Sequence, residues 1–592
     1  MTRKLVRKAD PLRSILLFFA VLKACISAAA PAQGSSATLP LGRARAASVR
    51  QSTSPVERVA ASSGANGASA ATLTGTAPDF LPVVTYDSGG TSAGMVAVAD
   101  VNRDGKPDIV VINCGTVCFN TTGGGSVGVM LGNGNGTFQT AVTYGTGGAS
   151  PVFVAVADVN DDGKFDLVVA NRCGNNGCLQ ESLVAVLLGN GDGTFQAPLS
   201  YGTGGLFTSS VAVADLNGDG KPDIVVANNC GDSNCDGAVD VLLGNGDGTF
   251  QAAVTYRTGG LYTFSIVLAD VNGDRRPDVV VTTSTFICES NTCRRVGVVA
   301  VLLGLSDGTF LPAVGYRSGG RLLGGSVTVA DVNSDGKADI VVENSQCCRS
   351  SNGVVGVLLG KGDGTFKPVA THTPGGGGWG TSAAVADVNG DRGVDLITTD
   401  QSAHNNGGND GVVSILLGNG HGNFQPAVTY SSGGFSTNWV AVADVNEDGR
   451  PDLVVANECT ESVFCTRASV GVLLNNTVLD TTLPVITASV VPAILSPPDG
   501  RMVPVTVTGT ISDAGSGVNL NTAQYAVHDE YGILHPAGKI SPDATGNYSF
   551  TVLLRAARHP HDLDGRQYTI QISAKDYSRN LGVEKTLVIV PH

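Results

Sequence analysis

Apolar residues recur along this chain in short alternating or continuous runs, separated by Gly, Asn and Asp, without a helical period. One stretch shows the pattern in full. Val211-Ala-Val-Ala alternates up to Asp215, and Asp223-Ile-Val-Val-Ala227 forms a second run. Val239-Asp-Val-Leu-Leu243 is a third, Gly244-Asn-Gly-Asp-Gly248 turns the chain, and Phe250-Gln-Ala-Ala-Val-Thr-Tyr256 is a fourth. Four short strands joined by such turns and repeated along the chain predict propeller blades. The last copy stops after Val470-Gly-Val-Leu-Leu474, while a fourth-strand pattern, Phe80-Leu-Pro-Val-Val-Thr-Tyr86, stands alone before the first copy. Pairing the two removes the open edges of the array. The expected fold is therefore all-β: a seven-bladed β-propeller over 77–477, closed by its N-terminal strand. Beyond residue 477 the repeat is lost. Alternating runs at 503–511, 523–527, 548–554, 568–573 and 586–590 predict an immunoglobulin-like β-sandwich over 478–592.

Between the first and second strands of each copy lies the same polar sentence, D-x-N-x-D-x-x-x-D. It begins at Asp100, Asp158, Asp215, Asp270, Asp331, Asp387 and Asp444, spacings of 58, 57, 55, 61, 56 and 57 residues. Its oxygen side chains are Asp100, Asn102, Asp104 and Asp108; Asp158, Asn160, Asp162 and Asp166; Asp215, Asn217, Asp219 and Asp223; and Asp270, Asn272, Asp274 and Asp278. The remaining copies supply Asp331, Asn333, Asp335 and Asp339; Asp387, Asn389, Asp391 and Asp395; and Asp444, Asn446, Asp448 and Asp452. Oxygen ligands at positions one, three, five and nine suit a hard cation, so about seven structural Ca2+ sites are expected. Helix-flanked sensor loops end in a bidentate Glu, whereas these sit between strands and end in Asp. The sixth position is Gly105, Gly163, Gly220, Gly336 and Gly449 in five loops, but Arg275 and Arg392 in the fourth and sixth, which are expected to bind more weakly. Modules of this kind work at about 0.1–1 mM calcium, an extracellular concentration.

The formal charge of −14 follows from this chemistry, since the loops hold 21 aspartates at ligand positions. No basic stripe marks a nucleic-acid partner. Arg3, Lys4, Arg7, Lys8 and Arg13 precede an apolar run at 15–22 and small residues to Ala32, which reads as a signal peptide over 1–32. That run is too short for a membrane span in the mature chain. A Ser/Ala/Gly-rich linker follows over 33–76. Of 13 cysteines, Cys25 falls within the signal, leaving its removal or lipidation open. The others form local pairs after the second strand in six of the seven copies: Cys114/Cys118, Cys173/Cys178, Cys230/Cys235, Cys288/Cys293 and Cys459/Cys465, expected as disulfides, with Cys347/Cys348 too close for an unstrained bridge.

The blades resemble FG-GAP/VCBS repeats of integrin alpha-chain propellers and exported bacterial proteins. Asp215-Leu-Asn-Gly-Asp-Gly-Lys-Pro-Asp223 and Leu243-Gly-Asn-Gly-Asp-Gly-Thr-Phe250 carry the resemblance. It implies calcium in the loop between first and second strands on the lower face, with ligands on the opposite face. There the cysteine loops vary over a constant scaffold. Trp379 and Trp439 lie just before first strands; they read either as a glycan-stacking rim or as plugs of the central channel. No catalytic constellation emerges. The expectation is a non-enzymatic, secreted or cell-surface binding or adhesion protein for an extracellular protein or glycan. Alternatives are a polysaccharide-active (lectin-like or lyase-associated) protein and a subunit of a cell-envelope assembly.

Overall fold

The computed structural model describes residues 77–591 apart from 116–123, 175–181, 233–234, 290–291, 321–322, 346–352, 376–379, 401–409, 461–466, 479, 515–516, 544 and 577–579. The signal, linker and Trp379 expectations lie outside the described residues.

The described regular elements within 84–473 are all strands, and each after Val84–Asp87 pairs antiparallel with a strand next to it in the chain. They form curled sheets of seven, seven, four and seven strands. The first runs from Ala93–Ala99 to Leu199–Gly202, the second from Leu206–Ala214 to Val314–Arg317, and the third from Leu323–Ala330 to Ala370–His372. The fourth starts at Gly380–Ala386 and ends on Val84–Asp87, the N-terminal strand. Val84 pairs with Val472 and Tyr86 with Val470 in that closing ladder.

The fourth strand of one repeat and the first of the next, read as separate, are so at several joins, among them Leu199–Gly202 and Leu206–Ala214. At three others they are not. Instead, Val142–Ala157, Val254–Ala269 and Val428–Ala443 are single 16-residue strands that serve two successive repeats. The backbone turns left-handed at Ser150, Tyr262 and Ser436, and the register slips alongside. A bulge therefore bends the strand without ending its ladder.

Second strands such as Asp108–Asn113 are buried along their whole length, which is why they read as continuous apolar runs. Their alternate faces pack on the preceding and following repeats: Val168 and Ala170 meet Val211, Ile224 and Val226, while Leu167 and Val169 meet Val110 and Ile112. An aromatic pair crosses each of these joints. Tyr144 meets Phe195 at 5.5 Å between ring centroids, Tyr201 meets Phe250 at 5.5 Å, and both pairs are edge-to-face. At the closure, Tyr430 takes Phe80 from the N-terminal strand, at 5.1 Å.

Residues 485–590 form two further sheets. Met502–Ser512 pairs with Asn547–Arg555 and two short strands in one; Val518–Asp529, Arg566–Asp576 and Leu581–Val590 make the other with Ala537–Lys539. Val505, Val507, Leu554, Tyr568, Ile570, Ile572 and Val588 belong to the core between them.

Candidate metal centres

Each nine-residue loop is held by its own oxygens. In the first, the amides of Asp104 and Gly105 donate to the two carboxylate oxygens of Asp100, at 3.1 and 2.8 Å. The Asp104 amide also donates to Asn102 Oδ1, and the Lys106 amide to Asp104 Oδ1, each at 2.9 Å. Asp108 is fully buried and ties the loop to its sheet, accepting from the Val101 amide at 2.9 Å and the Gly132 amide at 2.8 Å. The last aspartate makes the equivalent two bonds in all seven loops. A carboxylate oxygen that accepts one N–H keeps a second lone pair, so the donor set of three carboxylates and an amide still fits a hard cation.

Burial pushes these last aspartates up from the ordinary carboxylate range, and neighbouring aspartates in the loop add to the rise while the amide bonds oppose it. Asp395 is pushed up to about 8 and Asp452 to about 6, burial again being the largest cause. A buried carboxylate beside two more is a poor anion without a cation.

Two features of the loops were not anticipated. The fourth position is left-handed as well as the sixth, at Arg103, Asp161, Gly218, Gly273, Ser334, Gly390 and Glu447. Arg275 and Arg392 do adopt the strained conformation, at φ 67° and 61°, but their loops carry glycine at position four instead. In addition, the basic residue at position seven folds back on the aspartate at position five: Lys106 on Asp104 at 3.8 Å, Lys164 on Asp162 at 3.0 Å, Arg450 on Asp448 at 2.6 Å. These pairs are partly exposed and contribute little to stability. The signal for them was the Lys or Arg two residues after that aspartate.

Among the described residues, one trio of acidic side chains brings its oxygens within 4.8 Å of one another, and it lies elsewhere, at Asp480, Asp513 and Asp576. The carboxylates of the nine-residue loops are therefore spread wider than that. Asn580 donates to Asp576 from its amide at 2.6 Å and from its side chain to the Asp480 carbonyl at 2.8 Å.

At the other end of the strands, a buried asparagine anchors the glycine corner in several repeats. The Asn113 side chain donates to the Ser88 carbonyl at 3.0 Å, Asn171 to Thr146 at 2.9 Å and Asn457 to Ser432 at 3.0 Å. Cys230 and Cys235 are disulfide-bonded. Cys114, Cys173 and Cys459 are bonded too, while Cys118, Cys178 and Cys465 lie outside the described residues. Cys288 and Cys293 face each other in the strand register, and Cys347 and Cys348 are not described. Trp439 is half-buried, edge-to-face with Phe153 at 5.2 Å, and packs with Val96 and Val154 where the first, second and seventh repeats meet.

Five stretches of the chain match the FG-GAP-like repeat: 116–169, 158–226, 215–281, 347–398 and 402–455. Each ends just beyond a nine-residue loop; the loops at Asp100 and Asp331 lie outside the matches. The chain thus carries five FG-GAP-like repeats in curled, propeller-like sheets. Among characterised proteins it is similar to the phosphatidylinositol-glycan-specific phospholipases D of Bos taurus and Homo sapiens, at 34% and 32% identity over 145 residues. The match covers 21% of this chain and only 17% of the relatives' length. A solved structure with similarity is the periplasmic gluconolactonase of Pseudomonas aeruginosa, at 16% identity and a TM-score of 0.40, over 57% of this chain and 84% of that one.

Proposed function

We propose that the chain is an exported, calcium-stabilised binding or adhesion platform: a seven-bladed β-propeller with an immunoglobulin-like sandwich behind it. The observation that carries this reading is the sevenfold loop. Seven loops repeat one donor set and one pair of anchoring bonds, as structural clips would, with no single loop set apart for chemistry. Asp100 to Asp108 and their counterparts would hold the cation; its charge offsets the repulsion among buried carboxylates. The Tyr–Phe pairs support the blade count, because the pair at Tyr430 is completed by Phe80, across the closure. The opposite face, with its disulfide-bonded loops, is the surface left for a protein or glycan ligand.

The test is a glycan-array and surface-protein binding screen of the full chain in millimolar calcium and in chelator. Calcium-dependent retention of one ligand class is the expected outcome. Turnover of a polysaccharide by the purified chain, with no retained ligand, overturns the reading in favour of an enzyme.

A further inference from the structure

The joints between repeats are built mostly from Val, Ile, Leu and Ala, and the fifth-to-sixth joint departs from that rule at several matched positions. Four residues after the loop's last aspartate, the repeats carry Ile112, Ala170, Ala227, Thr282, Thr399 and Ala456; the fifth carries Glu343. Across the joint, Thr398 stands where six repeats have valine, and Asp400 where five have asparagine. His372 replaces tyrosine in the fifth repeat and meets Phe424 of the sixth at 5.1 Å.

Glu343 is fully buried, and neither of its carboxylate oxygens has a hydrogen-bond partner. Its carboxylate presses on two glycines: a Cβ on Gly380 would fall 1.6 Å from Oε1, and one on Gly353 3.2 Å from it. Asp240, a buried carboxylate on the third strand of the third repeat, differs in accepting hydrogen bonds from Asn228 and Thr255. Among the described residues, the groups facing Glu343 supply no cation. From the second strand of the sixth repeat comes Asp400, bonded to the Ser414 hydroxyl at 3.0 Å. From its own sheet comes His372, in register through Val355. Asp410 begins the third strand of the sixth repeat, and its side chain lies outside the described residues. Among the described residues an ionised carboxylate there has neither donor nor counter-ion, whereas the neutral acid costs far less.

We propose that Glu343 is a proton-binding residue and that the fifth-to-sixth joint is an alkali-sensitive seam, tight while this carboxyl is protonated and loosened when it ionises. Burial, and secondarily the charge of Asp400, push the Glu343 carboxyl well above the usual carboxylate range. Such a group contributes stability that is fully present below its unfolded-state pKa and lost as pH rises through the folded value.

The experiment is thermal unfolding of the full chain in saturating calcium from pH 5 to pH 9, for wild type, Glu343→Gln and Glu343→Ala. The alanine variant restores the residue found at 170, 227 and 456. The expected result is a melting temperature of wild type that falls behind both variants by several more degrees at pH 9 than at pH 5. Hydrogen-exchange protection in 339–345 and 395–400, taken relative to the intrinsic exchange rate at each pH, should fall at pH 9 in wild type alone. A gap between variants and wild type that does not change with pH overturns the proposal. Should neither Glu343 variant fold, Asp400→Asn is read instead: moving the wild-type pH response to lower pH, as loss of the Asp400 charge requires, supports it, and an unmoved response overturns it.

Discussion

Gly273 and Arg275 are both left-handed, at φ 80° and 67°, and together they invert the arrangement of the first loop, where Arg103 precedes Gly105. Glycine has thus moved from the sixth position to the fourth, and the same exchange occurs at Gly390 and Arg392. Six loops carry one strained non-glycine residue each, and the third, with Gly218 and Gly220, carries none.

This distribution predicts opposite effects within one loop. Arg275→Gly should stabilise the chain by roughly 1 kcal/mol by removing the strained residue. Gly273→Ala should destabilise it by roughly 1 kcal/mol or more. Nothing but a carbonyl oxygen 3.8 Å away meets a Cβ at 273, so the penalty would be conformational. Urea unfolding at fixed calcium measures both changes. By the same count the third loop should bind calcium most tightly, which single-loop Asp→Asn variants would show by calorimetry.

The closing ladder predicts the effect of losing the N-terminal strand. Without residues 77–87, Val470 and Val472 lose their partners, Tyr430 loses Phe80, and the amide of Asp79 no longer bonds Thr477 from 398 residues away. The strand Ser469–Leu473 would become a bare edge. The truncated chain is expected to melt lower and to associate, as thermal unfolding and light scattering would show.

Much of this was legible because the repeat supplies seven independent copies of each signal. Asp215 to Asp223 placed a loop between strands, and the lone pattern from Phe80 to Tyr86 announced the closing strand. The fused strand Val254–Ala269 was not legible, since Gly259 and Gly260 read as a break although the backbone there bends within one ladder. The left-handed fourth position was hidden because Arg103, Asp161, Ser334 and Glu447 occupy it without any residue that favours it, aspartate excepted. Glu343 escaped notice for the opposite reason: one departure among seven copies shows its burial only when the neighbouring sheet is in place.

Calcium removal predicts a large change. A ligand bound only by the native state stabilises it by about 2.7 kcal/mol per site at a concentration of 100 times Kd. Chelation should therefore lower the melting temperature strongly, while exchange in the isolated C-terminal core, around Val505 and Ile570, stays slow. Identical melting curves with calcium and with chelator would refute the structural-cation reading.

In the C-terminal sandwich, Arg566 and Asp529 form a buried ion pair, with Arg566 Nε donating to Asp529 Oδ1 at 2.9 Å and a second bond from Nη2 to Oδ2. The guanidinium lies over the rings of Tyr531 and Tyr568, 4.7 Å from each centroid. Burial works to raise the Asp529 carboxyl, but the Arg566 hydrogen bonds and the amides of Tyr531 and Ile533 outweigh it and hold the carboxyl below its ordinary value. A depressed carboxyl contributes stability that is present above its unfolded-state pKa and lost as pH falls through the folded value. The sandwich should therefore lose stability below about pH 4, near the ordinary carboxylate pKa. Arg566→Met leaves a buried carboxylate without its partner and should cost about 3–5 kcal/mol at neutral pH. Adding Asp529→Leu to Arg566→Met should recover much of that loss and flatten the acid response. Chemical denaturation followed by the signals of Tyr548 and Tyr568 measures both, and a double variant as unstable as Arg566→Met would show that the pair is not what holds this corner.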